Sequence, residues 1–241
     1  YDADASVCCL YYSNTEDRIY IVDNGCGMKE EILRTHWMTI GNSSKKNSYI
    51  SQNGRVQTGA KGIGRFALDR ISDQCNMLTI SEEGGLEWVV DWRDFDGSKR
   101  ISEVKARVYD TEESLLEHVG IESWRNRAVA FDIAKCNFGE TGTAFRLDSL
   151  HDIWDESTMN RLRNHLENLL PPDVTENFCI WFFNDSTKIE DALITSANVE
   201  TYDYRIEFQV TANLVNIQIM RNEFDFRREE REVYTEAGFD E

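Results

Sequence analysis

The chain has 241 residues and a formal net charge of −18, with 44 acidic against 26 basic side chains. That length supports one large domain or two small ones with a substantial buried core, and 41% hydrophobic with 29% charged residues is a globular composition. The acidic balance excludes a surface that holds nucleic acid along its whole length, since phosphate contacts need clustered Lys and Arg, and no run of eighteen apolar residues is present to span a membrane.

A small anion is a different matter, because a pocket of backbone amides holds one without a basic surface. No signal peptide is visible; the chain opens at Tyr1 rather than at methionine, so the true N-terminus is expected upstream. The six cysteines (Cys8, Cys9, Cys26, Cys75, Cys136, Cys179) form no CxxC pair, and none of the four histidines stands at ligand spacing to one. They read as reduced thiols of a cytoplasmic protein, several packed as small hydrophobes.

In chain order, residues 1–13 close a helix or enter a strand, and RIYIV at Arg18–Val22 predicts a strand that ends at Asp-Asn-Gly. Residues 29–38 predict a short helix from Ile32, Leu33 and Trp37. Gly41 to Lys61 is polar and nearly free of apolar residues, the pattern of a functional or mobile loop. A helix follows over 63–71, then strands at 77–81, 86–92 and 128–133, with a helical stretch at 113–119 and an alternating strand at 143–147. Ile153–Leu170 predicts a helix with Ile153, Leu162, Leu166, Leu169 and Leu170 on one side, stopped by Pro171-Pro172. Beyond them 178–183, 204–210 and 214–220 predict strands, so a domain boundary is placed near Pro172, giving domains 1–172 and 173–241. The tryptophans at 88, 92, 124, 154 and 181 read as core or half-buried aromatics, the four histidines as structural or surface residues, and the mixed charges of Arg227–Glu232 as a solvated helix face.

Two constellations carry chemistry. Asp23-Asn24-Gly25-Cys26-Gly27-Met28 follows a strand; its glycines admit a sharp turn and close approach to a flat ligand, and its carboxylate can accept from an exocyclic amine. A hairpin turn at Asn24-Gly25 fits the same residues equally well. Gly59-Ala60-Lys61-Gly62-Ile63-Gly64 runs into a predicted helix, an arrangement that aims amides and the helix dipole at an anion. It lacks the GK[ST] ending of a P-loop and no strand leads directly into it, and a flexible capping loop remains open for it.

Taken together, DNGCGM, about ten helical residues, Ile40-Gly41-Asn42-Ser43-Ser44-Lys45, a polar lid, and GAKGIGRFA resemble the GHKL ATPases (gyrase B, heat-shock-90 chaperones, histidine kinases, MutL) in order and spacing. Gly142-Thr143 before TAFRL matches the family's late Gly-Thr, and YDADA matches the end of its first box with Asp2 as the last acid. The resemblance covers roughly residues 1–170 and implies an α/β (α+β) Bergerat fold: a two-layer sandwich of a mixed β-sheet under helices, followed here by a transducer-like β-rich segment. It implies that Asp23 binds the adenine amine, that Gly25, Gly27 and Met28 shape the base pocket, and that Thr143 assists through its hydroxyl or a water. The Gly59–Gly64 backbone, with Lys61, Ile63, Arg65 and Phe66, would wrap the phosphates, and Gly41 and Lys45 would belong to the lid. The family's general base Glu and magnesium ligand Asn fall, in this register, before Tyr1. ATP, Mg²⁺ and an ATP-dependent homodimer are implied partners, with nucleic acid or protein clients reached through regions outside these residues and no membrane. The IGNSSK stretch and the β-rich continuation are most similar to prokaryotic MORC-like or chaperone-like members, whose transducer sends a lysine into the site; Lys188, the lysine beyond residue 135, is the candidate. A regulatory ATP-binding module without turnover and a histidine-kinase catalytic domain are the alternatives.

Overall fold

The computed structural model describes residues 2–37, 50–51, 53–55, 66–95, 107–138, 140–170, 178–196, 204–211, 214–221 and 228–235. The chain divides into two compact units, Tyr1–Ser196 and Ala197–Glu241.

The first unit is built on a mixed sheet of β1 (Val7–Ser13), β2 (Arg18–Asp23), β3 (Ser72–Ser81), β4 (Gly84–Asp91), β5 (Arg107–Thr111), β6 (Gly142–Leu150), β7 (Cys179–Asn184) and β8 (Leu193–Ile194). Their spatial order is β5-β4-β3-β6-β2-β1-β7-β8. Every described pairing is antiparallel except β1 with β7, which is parallel. The helices are α1 (Glu30–Ile32), which passes into a π-helical turn at Leu33–Trp37, then α2 (Phe66–Ile71), α3 (Leu115–His118), α4 (Arg127–Lys135), α5 (Glu156–Leu169) and α6 (Ile189–Ala192).

Strand alternation divides the core between the two faces of the sheet. Leu10, Tyr12, Ile19, Ile21, Met77 and Leu147 face α2, α5 and the π-helical turn after α1, whose Leu68, Met159 and Leu33 complete that cluster. Their neighbours Cys9, Tyr11, Tyr20, Val22, Leu78 and Ala144 face α3 and α4, with Leu115, Val129 and Ile133. Tyr11, Trp124 and Phe183 make a ring cluster there with centroids 4.4–5.7 Å apart, a spacing that adds to area burial.

Several expectations are corrected. Residues 128–133 are helical, within α4, not a strand. The β-branched content misleads, but Val129, Ala130 and Ile133 fall on one helical face and Asn126 caps the start by accepting from Val129 N–H. The helix expected over 153–170 starts at Glu156 behind an Asp155 cap. Its inward line is Met159, Leu162, Leu166 and Leu170, while Ile153 is 85% and Leu169 72% exposed. The first unit continues past Pro172 to Ser196, because β7 pairs in parallel with β1 from Val7↔Cys179 to Tyr12↔Asn184. Asn24-Gly25 forms no hairpin: β2 leads on to α1.

The second unit holds an antiparallel sheet of β9 (Tyr204–Thr211), β10 (Leu214–Arg221) and β11 (Arg228–Thr235), with β10 central. The charged run expected as a helix face is therefore mostly strand. Among the described residues no helix is long and apolar enough to cross a membrane.

Phe183 is fully buried among these rings, at 0% exposure. Phe183→Ala should lower unfolding free energy by about 3–5 kcal/mol, and Leu169→Ala by no more than about 0.5 kcal/mol. Urea melts with unchanged slope check both; equal losses would contradict this assignment of the α5 and β7 faces.

Candidate functional site

The sheet register sets one transverse row. Cys8 pairs with Asp23, Asp23 with Thr143, and Thr143 with Thr79, across β1, β2, β6 and β3. Ile180 and Leu86 continue it at either end. By alternation, all six stand on the face packed by α1, α2 and α5. Polar groups thus occupy the middle of an otherwise apolar surface, at the end of β2 and the start of β6.

Each polar group has a specific setting. Asp23 Oδ1 accepts from the Gly25 amide at 2.8 Å. Burial pushes the Asp23 carboxyl above its ordinary range, opposed by the backbone amides of Gly25 and Thr143. The adjoining Cys8 thiol is pushed up to about 12, by burial first and the Asp23 charge second, so it stays a neutral thiol beside the carboxylate. Thr79 is 0% and Thr143 7% exposed; their hydroxyl oxygens lie 3.2 Å apart. Thr79 Oγ1 also accepts from the Met28 amide at 2.7 Å. Buried hydroxyls must find such partners internally.

The backbone around the row is fitted as closely. Gly27 has φ +65°, and a Cβ on it would lie 1.9 Å from the Ile80 carbonyl oxygen. Gly142 has φ +146°, and its Cβ would lie 2.1 Å from the carbonyl oxygen of Asp23. Both glycines therefore seat backbone on backbone, a packing requirement the sequence reading gave to ligand approach at Gly27. Asn24 fixes the loop from the other side: its Oδ1 accepts from the Ser6 and Val7 amides, each at 2.9 Å, and its amide donates to Ser6 Oγ and the Asn137 carbonyl. The Cys26 amide donates to the Ala3 carbonyl at 2.8 Å. On the far side of this N-terminal segment, Asp4 accepts from Ser51 Oγ at 2.5 Å and from the Asn53 amide at 3.2 Å. Arg55 donates to the Ala5 carbonyl at 2.5 Å.

Asp23, Gly25, Gly27, Met28 and Thr143 are thus brought together as the sequence predicts. Asp2 is half-buried at the start of the same segment. Gly41, Lys45, Gly59, Lys61, Gly62, Ile63, Gly64 and Arg65 lie outside the described residues; Phe66 opens α2. Lys188 is not brought to this row. It follows β7, whose last residue Asn184 pairs with Tyr12 at the opposite end of the sheet, and it lines a cleft of about 810 Å³ with Asn14, Trp154 and Arg163. Thr79 was missed; its one signal is a hydroxyl amid Met77, Leu78 and Ile80 in an apolar strand. Among the described residues no group of three or more His, Cys, Asp or Glu stands together as a metal site.

The family model described as histidine kinase-, DNA gyrase B-, and HSP90-like ATPase matches residues 1–119. No curated protein matches the chain.

Asp23 connects the site to stability. Its folded pKa is raised above 3.8. Below that value folded and unfolded chains both hold the proton and burial costs little. As pH rises through the folded pKa, the native state must ionise a desolvated carboxyl and stability is lost. Asp23→Asn should therefore be more stable than wild type at pH 7, with the difference vanishing below about pH 3.8. Denaturant melts at both pH values check this; a less stable variant at pH 7 would contradict it.

Proposed function

We propose that this chain, which belongs to the histidine kinase-, DNA gyrase B-, and HSP90-like ATPase family, binds ATP with its adenine on the Asp23–Thr143 row and hydrolyses it as a conformational switch. ATP binding itself follows from the family. The single observation that supports the placement is the register: it puts one carboxylate and one hydroxyl side by side in an apolar face, where a flat purine can bury its ring and still find a hydrogen-bond partner. The Asp23 carboxylate accepts from the exocyclic amine, and the loop through Gly25, Gly27 and Met28 borders the base.

The glycine-rich 59–64 sequence with Lys61 is the candidate for the phosphates, as the family resemblance implies. A water attacks the γ-phosphorus in line, its proton taken by a general-base glutamate as in this family, and ADP and inorganic phosphate leave. Magnesium would supply charge neutralisation at the phosphates, as in this family. Lid ordering over Gly41–Lys61, ATP-dependent dimerisation, a cytoplasmic location, and a MORC-like branch with a transducer in the second unit are parts of the same reading. The contacts of Ser51 and Asn53 with Asp4, and of Arg55 with the Ala5 carbonyl, support the lid reading, since they tie part of that stretch to the segment beside Asp23.

Asp23→Asn keeps the Gly25 contact but withdraws the charge from the amine. ATP affinity should fall by about 1.5–3 kcal/mol, the scale of a hydrogen bond to a charged group. Titration calorimetry on the folded variant checks it, and wild-type affinity would remove the assignment.

A further inference from the structure

Thr79 lies one strand beyond the Thr143 hydroxyl and is closed off from solvent. Its hydroxyl has one proton to give and lone pairs to receive. The Met28 amide, fixed at 2.7 Å, occupies one lone pair. An amide N–H cannot accept in return, so the Thr79 proton must find an oxygen elsewhere. Two oxygens are within reach: Thr143 Oγ1 at 3.2 Å and the more distant Gly142 carbonyl at 3.4 Å. The nearer one is the hydroxyl of the row itself.

We propose that Thr79 sets the hydrogen-bonding polarity of Thr143 and thereby selects adenine over guanine. The chain of donors runs Met28 N–H to Thr79, Thr79 O–H to Thr143, and Thr143 O–H into the pocket. Asp23 beside it is an acceptor. The row therefore presents acceptor then donor. The edge of adenine presents its amine as donor and the adjoining ring nitrogen as acceptor, which is the complement. Guanine presents the reverse, a carbonyl oxygen and a ring N–H, so its oxygen would face a carboxylate and its N–H a hydroxyl proton. Mispaired polar groups in a buried site reject a ligand far more strongly than a missing methylene does. Thr79 touches no nucleotide in this scheme; it is a positioning residue acting through Thr143.

This inference rests on the placement of adenine at Asp23, and the test separates the two. Dissociation constants for ATP and GTP are measured by calorimetry on the full chain as wild type, Thr79→Val, Thr79→Ser, Thr143→Val and Asp23→Asn, with circular dichroism to confirm folding. Valine copies the shape of threonine without its hydroxyl, so the Thr143 oxygen becomes free to accept a guanine N–H. The preference for ATP over GTP should fall about ten-fold in Thr79→Val, the scale of one net hydrogen bond. Serine should restore it, and Thr143→Val should lose it to the same extent with no further loss in the double variant. Should valine not fold, Thr79→Ala carries the same comparison. A preference that is unchanged or rises in the Thr79 variants overturns the proposal, as does an equal loss of both nucleotides. If Asp23→Asn weakens ATP while Thr79→Val leaves the preference intact, the adenine placement stands and the polarity proposal falls. If wild type binds neither nucleotide, both fall.

Discussion

The buried carboxyl of Asp23 at the end of β2 is the constraint on which the site depends. A charge on an apolar sheet face costs several kcal/mol unless neighbouring groups offset it, and Asp23 lies on such a face with the backbone amides of Gly25 and Thr143 turned to it. Its surroundings answer that cost. The Gly25 amide is held in place because Gly27 is seated on β3 and Asn24 is tied to β1. The amide of Thr143 arrives because β6 is inserted between β2 and β3. A residual penalty remains in the raised pKa, and a ligand that donates to this carboxylate relieves it. Strain of this kind, held in place by the fold around it, is what a binding site stores.

Insertion of β6 is also the reason the site joins distant parts of the chain. Residues 23, 79 and 143 meet because β2 and β3 are not neighbours. The connection between them supplies α1 and α2, while the chain after β5 supplies α3 and α4 to the opposite face. The face that carries Asp23, Thr143 and Thr79 is thus left to α1, α2 and α5, with the π-helical turn at Leu33–Trp37 placing Leu33 into that core. One sheet therefore carries aromatic packing around Trp124 on one face and the polar row of Asp23, Thr143 and Thr79 on the other.

Much of this was legible in the sequence, and the parts that were not have a common cause. DNGCGM at the end of β2, the Gly-Thr that opens β6 and the short helix after β2 are local patterns, and the structure places each where the sequence put it. What was missed depends on long-range pairing. Register alone brings Thr79 beside Thr143, 64 positions apart, so its only local trace is a hydroxyl in an apolar strand. The parallel partner of β1 lies beyond Pro172, which is why β7 was assigned to the second domain. Lys188 was chosen for its charge, and the direction of β7 carries it to the wrong end of the sheet. In 128–133, β-branched and aromatic side chains outweighed the helical spacing of Val129, Ala130 and Ile133, and only the Asn126 cap would have corrected the period.

The central claim is that the Asp23 carboxylate receives the adenine amine. Carbon-13 NMR of the Asp23 carboxyl, titrated with pH in the free chain and with saturating ATP, tests it most directly. The free chain should titrate above the ordinary carboxylate range. With ATP the midpoint should fall, because a donated amine hydrogen favours the charged form, and a purine nucleotide lacking that amine should lower it less. ATP that binds while leaving the Asp23 titration unchanged would contradict the account.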